Sequence, residues 1–207
     1  MEADWEFEIA PGAPLIDAAW PGFVDLRAHP RCIAELPEAA HFPALARALA
    51  QLNAPASPVW TAKCDVWVPG TFDPDELDAP PSQASHALAC YIDLLPRSDQ
   101  QSLSLALAEE TCRTLCDCLH AIAMRCGRAD LIVRRAVITP DVECLAITAY
   151  LTASGRSPRA ARRNLSRALS ALSAAVTRQI SPGEGTPKYN GSNAASPIRP
   201  GASSSTG

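Results

Sequence analysis

Residues 131–178 read LIVRRAVITPDVECLAITAYLTASGRSPRAARRNLSRALSALSAAVTR. Two apolar runs, 131–139 and 144–153, alternate with period two and flank Pro140-Asp141, a pair suited to a tight turn. The pattern predicts an antiparallel hairpin. After Gly155 the period changes. Ser157 is placed to cap a helix and Pro158 to fill its first turn. Leu165, Leu169, Leu172 and Val176 then share a narrow arc, as on a helix that buries one stripe.

The same strand–strand–helix unit is expected upstream. In 59–68, Trp60, Ala62, Cys64, Val66 and Val68 alternate with Thr61, Lys63, Asp65 and Trp67, the mark of a half-buried strand. In 86–95, Leu88, Cys90, Ile92 and Leu94 form one face, and Ala89, Tyr91 and Asp93 the other. Ser98 and Gln101 read as a capping box opening a helix. Its seam runs Ala108, Cys112, Leu115, Leu119, Ile122, Cys126, and Gly127 closes it in the left-handed position. Residues 69–85 read as a loop with one helical turn, capped by Asp73 with Pro74 at its first position. Pro43 opens an earlier helix bearing Leu45, Leu49 and Leu52, which Asn53 and Pro55 end.

The first 35 residues are less regular. Trp5, Phe7 and Ile9 alternate with acids, as in a short strand, and Phe23, Val24 and Leu26 suggest a second extended piece. From Ser181 onward Gly, Pro, Ser, Asn and Thr dominate, a composition expected to stay disordered. The expected organisation is an extended segment over 1–35, a globular domain over 36–180 and a tail over 181–207. The order α-β-β-α-β-β-α predicts an α+β fold. Its sheet would be mostly antiparallel, four- to five-stranded, with helices packed on one face. Over residues 40–180 this order, with its acidic body, is similar to that of the chaperones of bacterial type III secretion. The similarity lies in element order and implies a protein-binding role.

Charge sharpens the picture. The chain carries 18 Lys+Arg against 22 Asp+Glu, a net of −4, yet the groups are unevenly placed. Residues 1–150 hold 10 basic and 21 acidic groups, whereas 151–207 hold 8 and 1. The acidic body argues against a general nucleic-acid binder. The start, Met-Glu-Ala-Asp, is acidic and lacks the apolar run of a secretory signal, and no stretch is apolar enough to span a bilayer. A cytoplasmic protein is expected, with its eight cysteines reduced. The scarcity of lysine beside plentiful Arg, Ala and Pro is a bias typical of GC-rich bacterial genomes, so a bacterial source is expected.

Chemistry-bearing motifs are sparse. Cys112, Cys116 and Cys118 cannot converge on a metal, because Cys118 lies about 200° around a helix from Cys116. The acidic run Asp73, Asp75, Glu76, Asp78 lacks the glycine and final glutamate of a calcium loop. His29, His41, His86 and His120 fall in different elements, with no nucleophile spacing beside them. No phosphate-binding glycine loop or hydrolase signature is present. No cofactor or metal is implied, and the reading leans against an enzyme.

The expected binding surface is the sheet face away from the helices. It would display Thr61, Lys63, Asp65, Trp67, Tyr91, Asp93, Thr148, Tyr150 and Thr152, with either Arg134 or Arg135, whose side chains point to opposite sides. Two other readings compete: a solvated face of cross-strand pairs, or a face covered by residues 1–35 through Trp5, Trp20 and Phe23. A second surface is the last helix, where Arg159, Arg163, Arg167 and Arg178 lie opposite the leucines and Arg162 on the flank. The sequence thus suggests a non-enzymatic binding or adaptor domain with a protein partner, or a second copy in a homodimer. The rivals are a small enzyme using Lys63, Asp65, Asp93 and an arginine, and weak nucleic-acid association through the last helix.

Overall fold

The computed structural model describes residues 1–18, 20–97 and 103–178. Its centre is the hairpin of β5 (Gly127–Thr139) and β6 (Val142–Gly155), turned at Pro140-Asp141. On the far side of β6 lies β4 (His86–Pro96), and beyond it β3 (Val59–Trp67), both antiparallel to their neighbours. The other edge is built by the N-terminal segment. Strands β1 (Glu2–Phe7) and β2 (Ile16–Asp17) both pair with β5, in parallel. Among the described residues the sheet has six strands in the order β1-β5-β6-β4-β3, with β2 beside the end of β5. The α+β class therefore holds, but the sheet is mixed rather than purely antiparallel, because the N-terminal strands run alongside β5.

Helices cover one face. Helix α4 (Pro158–Arg178) lies against β6 and β4, with α2 (Pro43–Leu52) and α3 (Leu105–His120) packed on it. Its Leu165, Leu169, Leu172 and Val176 are fully buried. Ala160, Ala161, Ala168, Ala171 and Ala175 are buried beside them, so small residues let sheet and helices close around it. Ser157 Oγ accepts the Ala160 amide and caps this helix. A short helix, α1 (Pro37–His41), precedes α2.

Two element boundaries differ from expectation. Helix α3 is capped by Ser104, whose Oγ accepts the Leu107 amide at 3.3 Å; the Ser98–Gln101 box lies outside the described residues. The helix ends at His120, so Cys126 does not continue its seam. Cys126 itself takes the left-handed conformation, at φ 63°, and Gly127 opens β5. A Cβ at Gly127 would lie 2.3 Å from Met124 Cε, the movable end of a flexible side chain. The expected tail over 181–207 also lies outside the described residues. Residues 23–26 form no strand.

The main departure is inside β3. Thr61 pairs with Leu94 and Cys64 with Ile92, so Ala62 and Lys63 together face the single residue Asp93. This β-bulge switches the side of the strand. Cys64 and Val66 join the helix-side core, whereas Trp60 and Ala62 turn to the opposite face. Thr61, expected on that opposite face, is instead buried against Asn53 at the end of α2. Asn53 Nδ2 donates to Leu49 O (2.9 Å) and Thr61 Oγ1 (2.8 Å), and its Oδ1 accepts the Thr61 amide at 3.1 Å. Arg97 Nη2 donates to Asn53 O at 2.9 Å and fastens the same corner.

Trp60, now on the far face, anchors the N-terminal segment. After β2 the chain turns through Trp20-Pro21-Gly22-Phe23, where the Phe23 amide donates to Trp20 O and Gly22 takes φ 96°. This matches a turn with proline second and a left-handed glycine third. Phe23 meets Trp60 edge-on at 5.9 Å, and the Arg27 guanidinium stacks 3.9 Å from the Trp60 ring. Ile16, Ala18, Leu95, Ala136, Cys144 and Ala146 complete a second small core. The chain then passes around the β3 edge, and Leu26 and Ile33 enter the helix-side core.

The cysteines behave as packing groups. Burial pushes the thiols of Cys64 and Cys112 up to about 12, and those of Cys116 and Cys144 to about 11, so they stay protonated at neutral pH. Among the described residues no three His, Cys, Asp or Glu are grouped to hold a metal ion. No described helix is long and apolar enough to cross a membrane. Asn53→Ala leaves the Thr61 amide and hydroxyl buried without partners and should cost about 3 kcal/mol in urea unfolding. A loss under about 1 kcal/mol would show that the corner does not depend on this amide.

Candidate functional site

The face away from the helices is divided by the N-terminal segment. Near the β5–β6 turn it is covered by Ile16, Ala18 and Phe23, and Trp20 reaches toward Lys63, whose Nζ lies 5.7 Å from its ring. Trp5, by contrast, packs against the helix-side core. The covering thus uses Trp20 and Phe23 but not Trp5, and it spans only one end. Beyond it, alternation along each strand sets a row of aromatic groups across three strands. Trp67 of β3 lies 6.2 Å from Tyr91 of β4, and Tyr91 lies 5.9 Å from Tyr150 of β6. Trp67 is 36% exposed, and both tyrosines are half-buried.

A polar network runs beside this row. Arg134 Nε and Nη2 donate to Glu8 Oε2 at 2.8 and 2.5 Å, and Nη1 donates to Thr148 Oγ1 (3.3 Å) and Tyr150 Oη (3.2 Å). Thr148 in turn donates to Asp93 Oδ1 at 2.7 Å. Asp93 is only 5% exposed. Burial raises its pKa, opposed by the Thr148 hydroxyl and by the charges of Lys63 and Arg134. The bulge creates this setting, because it places Lys63 opposite Asp93. Burial, helped by Asp93 and Asp65, pushes the Tyr91 phenol up to about 12, so it remains a hydrogen-bond donor at neutral pH.

The structure therefore gathers Lys63, Asp65, Trp67, Tyr91, Asp93, Arg134 and Tyr150 on one face. Arg135 stands apart: it points to the other side and pairs with Glu143 at 2.5 Å. Asp65 turns its carboxylate to the Val66 amide. Beside β3 a cleft of about 460 Å³ opens between the sheet and the N-terminal segment. Its walls include Trp20, Leu26 and Leu36 on one side, and Lys63, Asp65 and Tyr91 on the other. Sequence reasoning offered Trp20 as a cover for the face but not as a cleft wall, and it missed Glu8. Only the alternation of Glu2, Asp4, Glu6 and Glu8 signalled an acidic strand face, and nothing local named Arg134 as its partner.

The arginines of α4 divide into two groups. Arg159 and Arg162 border a hollow with His86 and Phe72, and the Arg162 guanidinium also lies 4.9 Å from the Phe42 ring. Arg163 and Arg167 border another, joined by Arg156. Arg159, Arg163 and Arg167 follow one another at four-residue spacing along the exposed side of α4. Neither a family model, nor a curated protein, nor a solved structure matches this chain.

Asp93→Asn keeps an oxygen for the Thr148 hydroxyl and removes the titration. Because the Asp93 pKa is raised, the folded state holds its proton more tightly than the unfolded chain does. The wild type loses that contribution as pH rises through the folded value. The stability of Asp93→Asn relative to wild type should therefore increase between pH 3 and pH 7 in denaturant melts. A flat or falling difference would show that Lys63 and Arg134 outweigh burial.

Proposed function

We propose that this chain is a non-enzymatic binding or adaptor domain of a bacterial cytoplasm, and that the uncovered part of the sheet face, with its adjoining cleft, contacts a protein partner. The carrying observation is the aromatic row Trp67–Tyr91–Tyr150, left half-open on a face otherwise occupied by charged groups. Aromatic groups bring large contact area at small entropic cost, and flanking charges set orientation. The cleft volume also falls in the range that takes a few side chains of a ligand.

A small enzyme built on the same residues has less support. Asp93 is engaged by Thr148 and Arg134 by Glu8, and of the four groups only Lys63 and Asp65 line the cleft. A second copy of the chain remains an alternative partner for the same face.

The proposal is tested by site-specific photo-crosslinking in extract of the native host. A photoreactive residue replaces either Trp67 or, as a control on the helical side, Arg113, which is exposed on α3. Discrete adducts from position 67, suppressed by Tyr91→Ala in a protein with unchanged melting temperature, are the expected outcome. Equal adducts from both positions, or none from 67, would overturn it. An adduct of twice the chain mass would identify self-association.

A further inference from the structure

The acidic body makes one feature unusual. The hollow beside the first turns of α4 has a volume of about 420 Å³, and three arginines line it without a carboxylate. Arg163 and Arg167 lie one turn apart on α4, and Arg156 comes from the link between β6 and the helix. Gly155 fixes that link. A Cβ there would sit 2.5 Å from Ala161 N and 2.7 Å from Ala160 C, so only glycine lets the strand end press against the helix. Arg156 is thereby held beside Arg163.

The rest of the lining is polar and partly anchored. Asn164 Nδ2 donates to Ser154 O at 2.8 Å. Gln83, from the turn Pro81–Gln83, accepts the Cys126 thiol on Oε1 and keeps its amide group as a donor. Ser82 adds a hydroxyl. Arg167 makes one long bond, to Ala123 O at 3.4 Å. Among the described residues none of the three arginines has an ion pair. Asp78, on the turn preceding Gln83, is taken by Arg125 at 3.6 Å.

Three unneutralised guanidinium groups in one hollow repel one another, and a multiply charged anion relieves that repulsion. Guanidinium groups match phosphate oxygens in pairs, and the amide and hydroxyl donors suit the remaining ones. We infer that this hollow binds an oligophosphate group, as borne by free di- and triphosphates or by nucleotides. The site is separate from the sheet face and does not rest on the proposed partner binding there.

Titration calorimetry of the full chain with tripolyphosphate at fixed ionic strength tests the inference. Saturable one-site binding is expected, weakened roughly tenfold or more by Arg163→Gln and by Arg156→Gln. Arg159→Gln, outside the hollow, should change affinity less than twofold. Melting temperatures without ligand should agree among the variants. A nucleoside triphosphate binding no tighter than tripolyphosphate assigns recognition to the phosphates, and a tighter one adds a base contact beside them. Absence of saturable binding, or equal weakening by Arg159→Gln, would overturn the inference, because the latter marks diffuse helix charge.

Discussion

The fold depends on how fully helix α4 is enclosed. A helix whose leucines and alanines are alike buried is enclosed on several sides at once. Each fully buried leucine contributes about 1.5–3 kcal/mol relative to exposure. Three leucines and Val176 at three- and four-residue spacing give α4 the stabilising role that a central strand has in other folds. The alanines matter for a different reason. They remove bulk where the helix is enclosed: at Ala160 and Ala161 the end of β6 comes directly onto the helix. What is left of α4 to solvent is a polar strip rich in arginine, which is why the basic charge of the chain emerges where it does.

A single extra residue in β3 organises the opposite face. Without the bulge, Trp60 would point into the helix-side core and Thr61 outward. With it, Trp60 becomes the seat for Phe23 and Arg27, and the N-terminal segment gains a place to lie across the sheet. The same shift puts Lys63 against Asp93. A buried carboxylate is costly unless opposite charge and hydroxyl donors surround it, and here Lys63, Arg134 and Thr148 do so. Covering one end of the face and charging the middle are thus two results of one irregularity in the ladder.

Periodicity made most elements from residue 43 to residue 178 legible, because each strand or helix has one dominant apolar face. It failed in β3 because both parities carry tryptophan: Trp60 and Trp67 suit either side, and nothing in Thr61-Ala62-Lys63-Cys64 marks a bulge. It failed at the end of α3 because Ile122 and Cys126 continue a helical spacing by chance, while the chain has already turned. The parallel pairing of β1 and β2 was not legible either. Alternation states that a strand has two faces and says nothing of its neighbour. On the sheet face, Tyr91, Asp93 and Tyr150 follow from alternation alone. The arginine hollow does not, since Gln83, Arg156 and Arg163 come from three elements that only the tertiary fold unites.

The β1–β5 ladder has a consequence for how the molecule comes together and apart. Its Arg134–Glu8 pair joins groups 126 positions apart in the chain. The four antiparallel strands pair over shorter separations, from 3 positions at the β5–β6 turn to 69 between β4 and β6. Closing so long a loop costs somewhat more entropy than the shorter pairings do, and its contacts come late. The antiparallel strands can assemble first and offer β5 as a ready edge, and the two parallel strands then add to a finished template. By the same reasoning this edge is the least cooperative part of the sheet, the region where amide exchange would report opening before the core melts.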